Sequence, residues 1–106
     1  MNNKGEEKSQ NNSNSSQDAE NAAKFLKTLA NPNRLIILNL LMNNESCVGD
    51  LEKSLNISQS ALSQHLSRMR DDGILARRRE SQQIFYTIKD ERIKKYLKLT
   101  QEVFYS

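Results

Sequence analysis

The stretch ISQSALSQHLSRMRDDGIL, residues 57–75, decides how the rest of the chain is read. At 100° per residue, Leu62, Leu66 and Met69 fall within one narrow arc, which must face a core. Ser60, Gln64, Ser67 and Asp71 fall roughly opposite, with Ser63 and Arg68 on the flanks. The spacing predicts a helix over Gln59 to Asp72, capped by Ser58 and stopped at Gly73. Its outward face is therefore built from small hydroxyls and amides, which a core helix does not need.

Upstream, Asn56–Ser58 form a tight turn after a short helix over about Val48 to Leu55. Cys47 stands at the N-cap position of that helix, with Asp50 three residues on, a faint echo of a capping box. Before it, Asn31 and Pro32 open a helix reaching about Asn43. This helix holds Leu35, Ile36, Leu38, Leu40 and Leu41, apolar nearly all round, and reads as the central core helix. Asp18 to Ala30 carries Ala22, Phe25, Leu26 and Leu29 at helical spacing. Residues 1–17 are Asn, Ser, Gln, Lys and Glu with no large apolar residue after Met1, and are expected to form a disordered polar tail. That leaves residues 18–106 as the folded domain.

Downstream, ILARRRE and QIFYTIK are two β-like runs joined by SQQ. Asp90 then caps a last helix to about Phe104, with Ile93, Leu97 and Phe104 on one stripe. Two helices joined by a tight turn form a helix-turn-helix, and a hairpin directly after makes it winged. The expected fold is mainly α with a small β-hairpin.

Composition narrows the function. The 106 residues carry a net charge of +3, compatible with a nucleic-acid partner once the charge is located. A single cysteine excludes an internal disulfide framework. No apolar run approaches the roughly eighteen residues that span a bilayer, and none follows Met1 as a secretory leader would require. A cytoplasmic location without membrane contact is the simplest expectation. There is no Gly-rich phosphate loop, no clear pair of catalytic carboxylates and no Cys–His dyad, so catalysis and cofactors are not expected.

The polar face of residues 59–72 can be ordinary solvated surface. It also suits a duplex groove. In a helix-turn-helix the start of the second helix meets base edges in the major groove. Gln pairs with adenine N6/N7, and Ser bonds base edges or phosphates. The charge pattern shifts the balance toward DNA. Arg68, Arg70, Arg77, Arg78 and Arg79 cluster from late in this helix into the first hairpin strand, with Asp71 and Asp72 opposing them nearby. On a strand, Arg77 and Arg79 share one face and Arg78 takes the other. Such arginines can neutralise phosphates or enter a minor groove, with Gln82 and Gln83 following at the tip. The lone histidine, His65, lies beside the apolar arc and is expected to be half-buried and structural.

The segments LANPNRLIILNLL (29–41), ESCVGDLEKSLNISQSALSQHLSRMRDDGIL (45–75) and RRRESQQIFYTI (77–88) resemble the ArsR/SmtB family of bacterial winged-helix repressors. LSQHL and QQIFYT are most similar to its HlyU-like and BigR-like, sulfur- or redox-responsive group. The resemblance covers about residues 20 to 104. It implies a homodimer on a two-fold, pseudo-palindromic operator, with Gln59, Ser60, Ser63 and Gln64 at the family's base- and phosphate-facing positions. The family's thiolate metal box reads C-V-C, whereas Cys47 is followed by Val48 and Gly49, and the last helix holds no histidine. Metal binding is therefore not expected. The dithiol switch of the sulfur-responsive relatives lacks its second cysteine here. Cys47 remains either a small buried residue or a lone thiol sensor at a helix start.

The dimer is expected through the first and last helices, using Phe25, Leu26, Leu29, Ile93, Leu97 and Phe104, which would set two second helices about 34 Å apart. These stripes would otherwise serve their own core. The expected function is a transcriptional regulator whose Gln59, Ser60, Ser63, Gln64 and Arg68 enter the groove. Arg77, Arg78, Arg79, Gln82 and Gln83 would supply the wing contacts. The alternatives are a Cys47-based redox- or sulfur-responsive repressor and a winged helix that docks another protein.

Overall fold

The computed structural model describes residues 3–105, with side chains from residue 15 onward. The chain divides into two compact units, Met1–Asn31 and Pro32–Ser106.

The first unit is one helix, α1, Asn3–Leu29. This helix takes in part of the stretch expected to form a polar tail. Helical hydrogen bonds close between residues four apart and need no apolar face, so a started helix can run on into a polar sequence. Thr28 and Leu29 are buried, Phe25 is half-buried and Leu26 is exposed.

The second unit holds α2 (Pro32–Leu40), β1 (Ser46–Cys47), α3 (Val48–Ser54), α4 (Gln59–Asp71), β2 (Leu75–Glu80), β3 (Gln83–Ile88) and α5 (Glu91–Phe104). The three strands are antiparallel in the order β1–β3–β2. This is a helix-turn-helix, α3 and α4, followed by a hairpin wing. The third strand, β1, was not expected. At two residues it is too short to show the alternation that marks a strand in sequence.

Each boundary has a local cause. The Ser58 hydroxyl accepts from the Ala61 amide at 3.1 Å and starts α4. At the other end the Gly73 amide bonds the Arg70 carbonyl, and the Ile74 amide bonds the Met69 carbonyl at 2.9 Å. That is a Schellman stop, and it needs the left-handed backbone of Gly73, φ 79°. Ile74 and Met69, which the motif brings together, are both buried. The Ile74 carbonyl then accepts from Lys89 at 2.7 Å and Asp90 at 3.3 Å, fastening the end of the hairpin beside the end of α4. Asp90 caps α5 by accepting from the Arg92 amide at 3.0 Å. The hairpin reverses through Ser81 and Gln82, with Ser81 at φ 57°.

The core is built from Ile37, Leu38, Leu41, Leu51, Leu62, Leu66, Met69, Ile74, Leu75, Tyr86, Ile88, Ile93 and Leu97. Two expectations change here. The helix α2 is not buried all round: Ile37 and Leu38 are fully enclosed, while Ile36 and Leu40 are 44% and 38% exposed. Ile93 and Leu97 are 0% exposed, so these two cannot offer a surface to a second copy. The apolar positions of α5 split between two faces, and the inner one is consumed by its own fold.

Truncating a fully enclosed side chain removes its burial and leaves a cavity. Leu97→Ala should therefore cost about 2–5 kcal/mol of stability. Urea unfolding at several protein concentrations checks this. A cost near zero would return Leu97 to the surface.

Candidate nucleic-acid interface

The site is built on α4. Leu62, Leu66 and Met69 are 1%, 1% and 0% exposed, and they fix the rotation of the helix about its axis. Gln59, Ser60, Ser63, Gln64, Ser67 and Arg68 are consequently all exposed. Ser60 and Gln64 lie one turn apart, so a single ridge of hydroxyl and amide groups runs along the first half of the helix. The Leu55–Ser58 turn joins α3 to this ridge.

The wing adds the arginines. The register pairs Arg77 with Tyr86, Arg78 with Phe85 and Arg79 with Ile84. Directly paired residues share a face, so Arg77 and Arg79 lie on the face that also carries buried Leu75, Tyr86 and Ile88. Arg78 lies on the opposite face with Phe85 and Cys47. All three arginines, with Gln82 and Gln83, are exposed.

The three arginines are not equivalent, although all three were expected to meet DNA. Arg78 donates from Nε to Glu45 Oε2 at 3.0 Å, from the second guanidinium arm to Glu45 Oε1, and from Nη1 to Glu80 Oε1 at 2.6 Å. Its guanidinium lies over the Phe85 ring, 4.6 Å from the centroid. The hydrogen bonds to Glu45 and then Glu80 raise the Arg78 pKa further above its usual value, and the bond from Arg78 holds the Glu45 carboxyl below the ordinary range. Arg78 is thus already matched by two carboxylates. Among the described residues, neither Arg77 nor Arg79 has a carboxylate partner. Glu45 and Phe85 carried no functional signal in the sequence, because nothing local links them to residue 78.

His65 is half-buried, as expected from its place beside the apolar arc. Its Nδ1 accepts from Arg34 Nε on α2 at 3.2 Å, which fixes the neutral ring with its proton on Nε2. Burial first, and then the Arg34 charge, hold its pKa below the free value of 6.5. Arg34 therefore braces the rotation of α4 from behind the ridge.

Cys47 is buried in β1 and precedes α3 without a side-chain capping bond, so the echo of a capping box is not realised. It lines a cleft of about 390 Å³ with Val48, Gly49, Gln82, Gln83 and Ile84. Among the described residues, no group of three or more His, Cys, Asp or Glu side chains could hold a metal ion. No helix of the described residues is long and apolar enough to cross a membrane.

With this geometry in place, comparison with known proteins decides the family. Residues 31–77 match the model described as bacterial regulatory protein, arsR family. The chain belongs to that family. It is 43% identical over 88 residues to the transcriptional activator HlyU of Vibrio cholerae, covering 80% of this chain and 82% of that protein. It is 42% identical over 88 residues to the nodulation protein NolR of Rhizobium meliloti, covering 83% of this chain and 72% of that one. Among solved structures, the transcriptional regulator HlyU of Vibrio vulnificus superposes with a TM-score of 0.81 at 42% identity, covering 89% of this chain and 98% of the other. The arsR-family chain is accordingly a DNA-binding transcriptional regulator and not an enzyme. Its resemblance to the HlyU and BigR group, suggested by LSQHL and QQIFYT, holds at the level of structure as well.

The buried side of α4 has a pH signature. The folded chain binds a proton on His65 less readily than the unfolded chain, so acid favours unfolding. The stability present above pH 6.5 should be lost as the pH falls from there toward the lower folded value. Urea midpoints at about pH 7.5 and about pH 5.5 should fall apart for the native chain and draw together in His65→Gln. An equal drop in both would place the acid sensitivity elsewhere.

Proposed function

We propose that this arsR-family regulator binds a pseudo-palindromic DNA operator as a homodimer in the cytoplasm. The observation that carries the reading is the strict division of α4: its inner side is fully enclosed, and its outer side presents Gln59, Ser60, Ser63 and Gln64 to solvent. In this reading those four residues enter the major groove. Arg68 meets the backbone beside them. Arg77 and Arg79, with Gln82 and Gln83 at the tip, follow phosphates or the adjacent minor groove. Residues 18–106 supply both the DNA-binding and the dimerisation functions.

Support for the dimer comes from apolar surface that the chain leaves uncovered. On α5 and just after it, Leu99, Val103, Phe104 and Tyr105 are 52%, 63%, 78% and 53% exposed. Ile36 and Leu40 add to this on α2. The Asn39 amide donates to the Tyr105 hydroxyl at 3.1 Å and accepts from Gln101 at 3.3 Å, which holds these two helices side by side. A cluster of this kind, one turn after another on joined helices, marks an interaction surface. In this reading Phe104 and Leu26 keep the interface role expected of them, and Leu99, Val103 and Tyr105 replace the enclosed Ile93 and Leu97. The burial of Cys47 favours its role as a small core residue over that of a sensor, since a buried thiol is poorly reached by oxidants. No bound metal or other cofactor is invoked.

Three measurements check the reading. Gln64→Ala should lower the ratio of specific to non-specific DNA affinity by about 1–3 kcal/mol, measured on duplexes selected by the native chain. Arg77→Ala and Arg79→Ala should each weaken every duplex and reduce the salt slope by about one. Phe104→Asp should shift the sedimenting species from dimer to monomer. Unchanged affinity and slope in the first two would contradict the interface, and would favour a winged helix that docks an acidic protein. An unaltered sedimentation coefficient would remove Phe104 from the dimer contact.

A further inference from the structure

Arg78 stands in the middle of an arginine run on the wing, where all three residues would be expected to do the same work. The structure separates it from its neighbours by three independent observations. The first is the face. Arg78 and Phe85 are direct partners across β2 and β3, whereas Arg77 and Arg79 project from the opposite side of the sheet. The second is occupation. Two carboxylates, Glu45 and Glu80, take hydrogen bonds from the guanidinium, Glu45 with both oxygens. The third is reach. Phe85 pairs with Cys47 across β1 and β3, and Glu45 lies two residues before Cys47, just ahead of β1. The Arg78 side chain therefore starts on one outer strand, crosses the Phe85 ring of the central strand at 4.6 Å, and ends on a carboxylate at the other outer strand.

We infer that Arg78 is a positioning residue for the wing and not a phosphate contact. Together with Glu45 and Phe85 it forms a strap across the three-stranded sheet, and the strap holds the hairpin at the angle from which Arg77 and Arg79 reach DNA. The inference rests on the DNA-binding reading above and assigns a separate role within it.

The chemistry suits the task. An isolated exposed ion pair holds little, because two flexible chains are easily parted by water and salt. A guanidinium engaged at both carboxylate oxygens is fixed in direction as well as in distance, and a ring beneath it removes one side from solvent. Lysine, a point charge without the planar fork, cannot reproduce that geometry. The β1 strand is only two residues long, so its two ladder positions alone are a weak hold on the wing. The strap adds a side-chain fastening to the same sheet edge. A phosphate approaching Arg78 would have to displace Glu45 and would meet Glu80 beside it.

The test is a double-substitution cycle on the full chain. Glu45→Gln, Arg78→Gln, the double variant and Arg77→Ala are titrated with a fluorescein-labelled mixed-sequence duplex about 30 bp long at four salt concentrations. Glu45→Gln and Arg78→Gln should each weaken binding roughly threefold to tenfold, and the double variant should be no weaker than either, because both break one strap. The salt slope should stay at the native value in all three, while Arg77→Ala lowers it by about one. Hydrogen exchange of the β2 and β3 amides should quicken in Glu45→Gln and Arg78→Gln alike, in the absence of DNA. Arg78→Lys should behave as Arg78→Gln does. The inference is overturned if Arg78→Gln lowers the salt slope, or if Glu45→Gln tightens binding by releasing the guanidinium to phosphate. It is equally overturned if wing exchange is unchanged in the free protein. If the native chain binds no duplex, the DNA reading itself fails, and exchange in the free protein still reports whether the strap holds the wing.

Discussion

The polar ridge proposed to meet DNA depends on how α4 is held in rotation. Three apolar side chains, Leu62, Leu66 and Met69, enter the core together and exclude any other angle. Turning the helix by one residue would drive Ser63 inward and expose a leucine. A buried hydroxyl without a partner costs about 1–3 kcal/mol and an exposed leucine loses about as much, so the two penalties reinforce each other. The Schellman stop at Gly73 extends this constraint along the chain. It turns the backbone so that Ile74 is enclosed, and the Ile74 carbonyl then anchors the start of α5. Ridge, wing and final helix are thus referred to one point in the core.

Charge is distributed with similar economy. The chain is only mildly basic, at +3, so binding cannot rest on net charge alone. What counts is where cations stand without an acid beside them. Arg92 is matched by Asp90 at the start of α5, and Arg78 by Glu45 and Glu80 on the wing. Arg68, Arg77 and Arg79 remain exposed on the elements that follow the turn. On the wing, pairing takes Arg78 and leaves Arg77 and Arg79, on the other face of the hairpin, without a carboxylate partner among the described residues.

Much of this was legible in residues 57–75 because a buried helical stripe and a capped terminus are local patterns. The periodicity of Leu62, Leu66 and Met69, the Ser58 cap and the Gly73 stop each lie within a few residues of one another. The family resemblance and the winged fold followed from the same local features. What the sequence hid was non-local. The strand Ser46–Cys47 exists only because β3 is there to pair with it. The Arg78–Glu45 contact spans 33 positions, and a run of three arginines gives no hint that one is already engaged. Likewise the stripe on α5 could not reveal which apolar residues serve its own core. Ile93 and Leu97 do so fully, and Phe104 does not.

In the proposed function, the exposed half of α4 is the surface that meets the duplex. Amide chemical-shift mapping on the isotopically labelled chain, as double-stranded DNA is added in steps, tests this most directly. The largest shifts should cluster at Gln59–Gln64 and at Ser81–Gln83, with Lys95 and Lys98 on α5 little affected. Shifts centred on α5, or spread evenly over every exposed lysine and arginine, would contradict it.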